Sequence, residues 1–445
     1  MSPTRHAREE GFALVLVLWL SLALASAALC FGHVALLGHR SQDSARHTLQ
    51  CRQTLRSAAE YVRALLSTAE AGEMPELEDE DSERVLVADS AFWLLAPVWN
   101  ESPELEYGLV PEAGKLNLNT ATKDMLQALP GMTEAIAAAI IDWRDEDLEP
   151  QPYGAEDETY SRKTPAYRAK NADFESIEEL LLVEGVDEEL LYGKDRNQNG
   201  IIDPWEDEST SRGSDDSGIW HLITVHSAES NDQEGGQQQG QQQGQQQGQQ
   251  GKTNVTSTQA LRTFLSQKFG PQVASQAASA GPYRSVLEFA ARGGLTREQF
   301  GEVESDLTAS DEETVRGLVN INIAPRAVLR CLPAVGDEGA EKLVSYRTAN
   351  SDGLTSIAWV LDALGNECAR DLGPHVTTKT YQVSADVVAV ANLRRAVRRC
   401  RFVFDLSSGS PLLVARRDLT NMPWALDEEL WTELATESLT SGTDE

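Results

Sequence analysis

The sequence lacks the residue patterns of common zinc sites, and it has few basic residues for its length. Its 445 residues include five cysteines and seven histidines but no CxxC and no HExxH motif, so a zinc site of the usual spacing is not expected. Lys plus Arg total 38 against 70 for Asp plus Glu, a formal net charge of −32. Because binding nucleic-acid phosphate requires a cationic surface, this charge argues against a free-standing nucleic-acid binder.

The longest uncharged segment lies near the amino terminus. Residues 12–37 are rich in Leu, Val and Ala, and as a helix they would be about 39 Å long, which exceeds the roughly 30 Å hydrocarbon core of a bilayer. Arg5 and Arg8 precede this segment. We therefore predict a membrane-spanning helix whose short amino-terminal side is cytoplasmic and whose remaining residues lie outside the cytoplasm.

Three interpretations of this segment compete: a secretory signal peptide, a plain membrane anchor and a pilin-type leader. Ser26-Ala27-Ala28 offers small residues for signal-peptide cleavage. Gly11-Phe12, at the border between the charged leader and the apolar segment, resembles the site cut by prepilin peptidase. Gly11 and Phe12 are therefore the predicted processing residues, and Phe12 would become the new amino terminus.

The residues after the apolar segment predict the layout of a pilin. Residues 41–66 have apolar or small residues at helical spacing, so the membrane helix is expected to continue as an amphipathic one. Residues 85–87 and 92–98 are typical of short strands. Residues 381–390, 402–406 and 412–415 are also predicted strands, and we expect them to complete the sheet that begins before Gly108.

An internal repeat lies between these two groups of strands. The segment KLNLNTATKDMLQALPGM (115–132) resembles LVNINIAPRAVLRCLPAV (318–335), and KTNVTSTQALRTFL (252–265) is a fainter third copy. After each copy a second helix is predicted, and later another helix that starts at an aromatic or Leu residue: Phe174, Tyr283 and Leu354. The repeated unit resembles a helix-hairpin-helix or SAM-like module of several short helices around a tight turn.

DNA-binding modules of this type present the amides of a glycine hairpin to phosphate. Here Gly131 has Ala334 as its counterpart, although close backbone approach to phosphate favours glycine. Residues 111–208 contain nine Lys or Arg and 24 Asp or Glu. We therefore predict a structural or partner-docking module that does not bind nucleic acid.

Residues 195–206 fit the twelve-residue calcium loop position by position. Gly200 stands where the loop turns sharply, and Asp207 to Thr210 give no clear exiting helix. We predict a structural Ca²⁺ site and not a sensor, because a sensor opens by moving two helices. The alternative is an acidic Asn-Gly turn without a metal. The predicted ligands are Asp195, Asn197, Asn199, the Ile201 carbonyl, Asp203 and Glu206.

Two further features of the sequence are a low-complexity segment and a group of three cysteines. Residues 235–251 contain only Gln and Gly, which predicts a flexible linker, and the Gly-Lys-Thr at its end lacks the glycine spacing of a phosphate-binding loop. Cys331, Cys368 and Cys400 lie in the predicted exported part. An oxidising compartment would allow one disulfide among them, and buried free thiols are the alternative.

The fold class predicted from these features is α+β, with α-helical modules inserted into a pilin-like α/β domain. The predicted segments are a leader (1–11), the long helix (12–72), the first part of the sheet (73–110), helical module 1 with the calcium loop (111–208), a strand and connector (209–234), the Gln/Gly linker (235–251), helical module 2 (252–316), helical module 3 (317–375) and the carboxy-terminal strands (376–445).

Several motifs together resemble the K-type minor pseudopilins of the type II secretion system, the general secretion pathway protein K family. Beside Gly11-Phe12 and the apolar helix, they are Lys115-Leu116-Asn117-Leu118-Asn119-Thr120-Ala121, Leu129-Pro130-Gly131-Met132, Ile141-Asp142-Trp143-Arg144-Asp145, Tyr167-Arg168-Ala169-Lys170-Asn171, and Glu178-Glu179-Leu180-Leu181-Leu182-Val183 with Gly185-Val186.

The resemblance implies a protein without enzymatic activity that is stabilised by calcium. It implies a single-pass inner-membrane protein, cut and methylated by prepilin peptidase, with most of the chain in the periplasm. I-type and J-type minor pseudopilins and the inner-membrane secretion platform would be its partners at the pseudopilus tip. Leu16, at position 5 after cleavage, supports the tip location, because pilins that add repeatedly carry a Glu there.

Two other functions are possible for a chain with these features. The first is a membrane-tethered helix-hairpin-helix DNA receptor of the competence type, which a cationic hairpin would favour. The second is an anchored calcium-binding surface protein, which failure of cleavage after Gly11 would favour.

Overall fold

The secondary structure is given by a computed structural model that describes residues 7–96, 105–206, 218–231, 252–391 and 395–440. The helices within these ranges are α1 (Ala7–Leu66), α2 (Asp79–Ser82), α3 (Lys123–Gln127), α4 (Glu134–Arg144), α5 (Asp157–Tyr160), α6 (Glu188–Tyr192), α7 (Thr258–Phe269), α8 (Pro271–Ala280), α9 (Val286–Arg292), α10 (Arg297–Gly301), α11 (Arg326–Leu329), α12 (Gly336–Ala349), α13 (Trp359–Leu364), α14 (Ala369–Leu372) and α15 (Glu428–Thr440).

The strands in the same ranges are mostly short. They are β1 (Val85–Val87), β2 (Ser90–Ala96), β3 (Glu106–Tyr107), β4 (Val110–Pro111), β5 (Leu116–Asn117), β6 (Ile223–Thr224), β7 (Ala228–Ser230), β8 (Thr253–Asn254), β9 (Leu307–Thr308), β10 (Thr314–Arg316), β11 (Val319–Asn320), β12 (Val376–Thr377), β13 (Gln382–Ala391), β14 (Ala396–Asp405) and β15 (Leu412–Asp418).

Helix α1 combines an apolar first half with an amphipathic second half, as predicted. Its side chains from Leu14 through Arg46 are exposed, and α1 is long and apolar enough to cross a membrane, a property that signal sequences share. Farther along, one stripe is buried at spacings of three and four residues. The stripe consists of Cys51, Leu55, Ala58, Val62 and Leu66.

This buried stripe packs on a seven-stranded antiparallel sheet. The strand order is β1-β2-β13-β14-β15, with β3 beside β2 and β4 beside β13. Val383, Ala385, Val387 and Ala389 alternate towards α1, and Val388 and Val390 face the other side, as the two-residue period of a strand requires. The prediction that strands after residue 376 complete the sheet begun before Gly108 is confirmed.

The segment between β4 and β13 is built from three modules that share one hydrophobic core. Each module begins with a short strand that pairs in parallel with a short strand at the module's end, in the pairs β5–β6, β8–β9 and β11–β12. The asparagine in each first strand accepts a hydrogen bond from the backbone amide two residues later. These asparagines are Asn117, Asn254 and Asn320.

The first and third modules correspond at a constant offset of 203 residues. Arg144, at the end of α4, donates to the carbonyls of Leu118 and Ala121, and Arg347 in α12 donates to those of Ile321 and Ala324. Gly131 and its counterpart Ala334 both have left-handed backbones, with φ of +68° and +61°. The hairpin geometry is thus kept even where alanine replaces glycine, which agrees with a structural role.

Two predicted elements differ from the structure. The segment from Phe174, predicted as a helix, contains only a 3₁₀ helix, Ile177–Leu182. Residues 376–445 were predicted to supply strands alone, but they end with helix α15, whose Leu434 is buried beside the sheet. Leu430 and Leu434 are one helical turn apart, but a single pair at this spacing does not by itself predict a helix.

Candidate functional site

The predicted calcium loop folds around its own carboxylates and asparagine side chains. The amides of Asn199 and Gly200 donate to the Asp195 carboxylate at 3.1 and 2.9 Å. The amides of Arg196 and Asn197 donate to Glu206 Oε1 at 2.7 and 3.0 Å, and the amide of Asp203 donates to Glu206 Oε2 at 2.9 Å. The first and twelfth positions are therefore held in one closed turn.

The two middle positions of the loop make the same local turn. Asn197 Oδ1 accepts from the Asn199 amide at 3.0 Å, and Asn199 Oδ1 accepts from the Ile201 amide at 2.9 Å. The side-chain amides of both asparagines donate to Asp203 Oδ2, at 2.7 and 3.2 Å. The structure thus brings together the five side chains predicted as ligands, and Ile201 adjoins them in the chain.

Burial makes the negative charges of this loop unfavourable without a cation. Asp195 and Asn197 are fully buried and Glu206 is 9% exposed. Burial, followed by the Glu206 carboxylate, raises the pKa of Asp195 to about 7. Burial also raises the pKa of Glu206. Carboxylate and amide oxygens are the ligands that Ca²⁺ prefers, so these residues fit the ion.

A buried ion pair attaches this loop to the sheet. Arg399, on β14, donates to the carbonyls of Asn197 and Gln198. The same guanidinium binds Asp386 on β13, with Nε–Oδ1 of 2.8 Å and Nη2–Oδ2 of 2.9 Å. Asp386 also accepts from Arg401 Nη2 at 2.7 Å. The loop is therefore fixed to the two central strands by charged groups that are themselves buried.

The pKa of Asp386 follows from these two arginines. Burial alone would raise it, but Arg399 and Arg401 outweigh burial and hold it at about 2. Asp386 is therefore ionised at neutral pH, and Arg399 keeps a fixed orientation towards the loop. Sequence patterns did not identify this contact, because the arginine and the loop carbonyls are about 200 positions apart in the chain.

The carboxy-terminal segment also contacts the loop. Asn197 Nδ2 donates to the carbonyl of Trp424 at 2.9 Å, and Asn199 Nδ2 donates to that of Ala425 at 3.1 Å. Ile201 lies in one core cluster with Leu426. Asparagine at loop positions 3 and 5 thus has a second role, because an aspartate there could not donate to these carbonyls.

The chain that returns at residue 218 closes the other side of the loop. Trp220 Nε1 donates to Asp195 Oδ2 at 3.2 Å, and the Ile219 amide donates to the Leu191 carbonyl at 3.0 Å. Gly218 has φ of +69°, and a Cβ there would lie 2.5 Å from the Leu191 carbonyl oxygen. The close approach of two backbone segments therefore requires glycine at this position.

Replacing Gly218 by alanine is expected to destabilise the protein by about 1 to 3 kcal/mol, because the added Cβ meets backbone atoms and the left-handed conformation is strained. Chemical denaturation followed by tryptophan fluorescence would measure the loss. Gly301→Ala is the matched control, since nothing lies within 4 Å of a Cβ at that helical position. Equal stability of the two variants would contradict the close approach.

The structure does not test the predicted processing site, the Gln/Gly linker or the residues that follow the calcium loop. Gly11 and Phe12 lie in α1, and their side chains fall outside the described residues. The Gln/Gly segment 235–251 and residues 207–210 also fall outside them.

Cys331, Cys368 and Cys400 are buried free thiols, the second of the two states that the sequence allowed. Burial raises the pKa of all three thiols.

Residues 114–192 match the family model described as "Type II secretion system (T2SS), protein K". The match covers 79 of the 445 residues of the chain. The matched residues contain the repeat motif from Lys115, the Ile141 to Asp145 motif and the Tyr167 to Asn171 motif on which the sequence resemblance was based. That resemblance is confirmed.

Two known proteins show the extent of the similarity. Type II secretion system protein K of Klebsiella pneumoniae is 40% identical over 55 residues, which are 12% of this chain and 17% of that relative. The match therefore spans about a sixth of the relative's length. The crystal structure of the GspK-GspI-GspJ complex from the enterotoxigenic Escherichia coli type 2 secretion system aligns with 85% of this chain and 97% of the compared chain, at a TM-score of 0.38 and 10% identity.

Proposed function

We propose that this chain is a minor pseudopilin of the type II secretion system, a subunit that initiates or terminates the pseudopilus used to export folded proteins across the outer membrane. The observation that carries the proposal is the position of the K family domain. It lies within a helical segment inserted into an antiparallel sheet, and that sheet packs on a 60-residue amino-terminal helix. This arrangement joins a pilin-type core to a large head.

The helix α1 supplies the membrane anchor. Its apolar half is exposed and contacts no other described part of the chain. Such a surface needs an apolar environment, which a bilayer or a bundle of similar helices would supply. With Arg5 and Arg8 on the cytoplasmic side, the head lies in the periplasm and the protein is a single-pass inner-membrane protein. Prepilin peptidase would act at Gly11-Phe12 before assembly, and the inner-membrane secretion platform would receive the processed chain.

The tip of the pseudopilus is the proposed position, with I-type and J-type minor pseudopilins as neighbours. A pilin that adds repeatedly needs a carboxylate near its new amino terminus to neutralise the charged amine of the neighbouring subunit in an apolar helix bundle. Leu16 occupies that place here. A chain without the carboxylate fits a cap better than a repeating subunit.

The head acts by packing and not by catalysis, and Ca²⁺ at residues 195–206 would stabilise it. The loop joins helical module 1 to β14 through Arg399 and to the carboxy-terminal segment through Asn197 and Asn199. A cation held by Asp195 and Glu206 would therefore stiffen the connection between the inserted modules and the sheet. Its role is structural, because the sequence after Glu206 predicts no exiting helix that a calcium sensor would move.

The intact mass of the full chain co-expressed with a prepilin peptidase tests the proposal. We expect loss of residues 1–11 and one added methyl group on Phe12. A Gly11→Leu variant serves as the control and should keep the full mass, because it removes the glycine of the predicted cleavage site. An uncut wild-type chain, or one cut near Ala28, would contradict the pseudopilin proposal.

A further inference from the structure

The strand β15 leaves one edge of the sheet open. Within the described residues it is the last strand in the order β1-β2-β13-β14-β15, and no strand pairs with its outer side. The opposite edge is formed by β1, which has three residues, whereas β15 has seven. Unpaired amides and carbonyls on an exposed edge are a template for a further strand. The edge at β15 is therefore the one with room for a partner strand.

The pairing of β15 with β14 shows which of its backbone groups face outwards. The Leu419 amide donates to the Arg399 carbonyl at 2.9 Å. Backbone groups alternate between the two sides of an antiparallel strand, so Arg417 also faces β14. Arg416 and Asp418 then turn their amides and carbonyls away from the sheet. These two residues offer an incoming strand both donors and acceptors.

Three consecutive apolar side chains of β15 are exposed. Leu412, Leu413 and Val414 are 54%, 40% and 50% exposed. Leu413 is opposite Phe404 in the register, and Phe404 is buried in the core beneath α1. The helix thus covers this face of β14 and leaves β15 uncovered. Adjacent apolar side chains on an open edge are typical of a surface that another protein covers.

The same part of the sheet is basic, although the chain as a whole is acidic. Residues 394–417 contain seven Arg and one Asp, whereas the net charge of the chain is −32. Carboxylates of this chain bind three of these arginines: Arg399, Arg401 and Arg417. Arg416 is exposed and forms no ion pair with a described carboxylate; its Nε donates to Cys400 Sγ at 3.3 Å. A free cation beside an apolar strip is complementary to an acidic partner.

A second copy of this chain is a poor partner for the edge. Two β15 strands paired edge to edge would bring Arg416 of both chains to one interface, where like charges repel. Pro411 precedes the strand, and a bulge interrupts the register opposite Val403 and Phe404. Prolines, bulges and charges on an edge hinder pairing between identical edges. They leave a strand of opposite charge as the complement.

We propose that the outer edge of β15 is a docking site for an extended, acidic strand of another subunit. The added strand pairs with the outward amides and carbonyls of Arg416 and Asp418, as in other cases of strand addition. Its apolar side chains cover Leu413, and a carboxylate pairs with the Arg416 guanidinium. The choice of a subunit as the partner rests on the proposed function, in which minor pseudopilins are the neighbours of this chain.

Binding of the detergent-solubilised full chain to purified I-type and J-type minor pseudopilins of the same secretion system tests the proposal. Native mass spectrometry should show the wild type in complex with them. Arg416→Glu should weaken binding about tenfold or more, because it places like charges opposite one another. Arg416→Lys should keep most of the affinity. Arg370→Glu reverses an exposed charge on α14, far from the sheet in the chain, and should bind as the wild type does.

Two further substitutions at the same position test the strand pairing itself. Arg416→Pro should bind more weakly than Arg416→Ala, because proline also removes an outward amide while leaving the hydrogen bonds to β14. Both variants should keep the Tm of the wild type to within a few degrees, since the position is exposed. In the wild-type complex, hydrogen exchange at Arg416 and Asp418 should slow about tenfold or more, whereas exchange in β1 should not change.

The outcomes separate this docking site from the proposed function. A wild-type chain that binds neither pseudopilin would contradict the proposed function and this proposal with it. A wild-type chain that binds them, with Arg416→Glu and Arg416→Pro binding equally well, would overturn the docking site alone. A wild-type chain that self-associates and becomes monomeric in Arg416→Glu would also overturn it, and would assign the edge to a second copy.

Discussion

Asp386→Asn is expected to lower the free energy of unfolding by about 3 to 5 kcal/mol, because it removes one partner of a buried charged network. Asp386 is 4% exposed and binds both Arg399 and Arg401. The asparagine would leave two guanidinium groups in the interior without a carboxylate. It would also release Arg399 from the orientation in which it donates to the loop carbonyls. Chemical denaturation of the full chain, followed by tryptophan fluorescence, measures this loss.

Asp418→Asn, at the end of β15 in the same sheet, provides the matched control. Asp418 lies 4.0 Å from Arg398 and its side chain is 59% exposed, so its removal should cost less than about 1 kcal/mol. Because the folded pKa of Asp386 is about 2 and its ordinary value is 3.8, its contribution is complete above about pH 4. It is lost as the pH falls from 4 towards 2. Equal costs for the two variants would contradict the buried network.

The longer carboxy-terminal strands of the sheet could be predicted from local patterns, from alternation in residues 381–390 and from short apolar runs in residues 402–406 and 412–415. Residues 381–390 alternate, and the structure places Val387 and Val388 on opposite faces of β13. The repeat was equally visible, since the same Asn-containing strand starts three modules. The repeat does not show which strand pairs with the first strand of each module. That pairing strand lies 54 to 107 residues farther along the chain.

The loop at residues 195–206 could be predicted from the sequence, but its contacts with distant residues could not. A calcium loop is a local motif of twelve residues, so the spacing from Asp195 to Glu206 is readable in one segment. The contacts of Arg399 with that loop come from the far end of the chain. The contact of the buried Asp142 carboxylate with the Gln151 amide, which holds the loop between α4 and α5 against α4, is likewise not part of a local motif. Sequence shows abundant acidic residues there but not which carboxylate is buried.

The sequence did not predict α15, because its apolar pattern is short. Of its described side chains, Leu430 and Leu434 pack on the sheet. Leu430 and Leu434 contact a cluster that also contains Trp93 and Val390. Glu428 and Glu429 at its first turn favour the helix through the macrodipole. Tertiary packing, and not a long periodic pattern, makes this helix stable. Because α15 packs on the sheet, the segment that precedes it lies beside residues 195–206, where the carbonyls of Trp424 and Ala425 accept hydrogen bonds from Asn197 and Asn199.

Removing the closing carboxylate of that loop should abolish its stabilisation by calcium. At a free Ca²⁺ concentration 100 times the dissociation constant, an ion that binds only the folded chain adds about 2.7 kcal/mol. We expect Glu206→Gln to lose this increment, because a glutamine supplies no charge and at most one oxygen in place of a bidentate carboxylate. Thermal unfolding of the full chain with Ca²⁺ and with a chelator measures the difference.

The same experiment separates metal binding from the loop's role in packing. In chelator, Glu206→Gln should lose much less stability than in Ca²⁺. Burial raises the pKa of Glu206, so removing its charge is favourable without a cation, and this gain offsets the hydrogen bond that a glutamine NH₂ cannot accept from one of the loop amides. Glu189→Gln, an exposed position in α6, should keep the full response to Ca²⁺. If the wild type gains no stability from Ca²⁺, or Glu206→Gln gains as much, residues 195–206 form an acidic Asn-Gly turn held to the sheet by Arg399 alone.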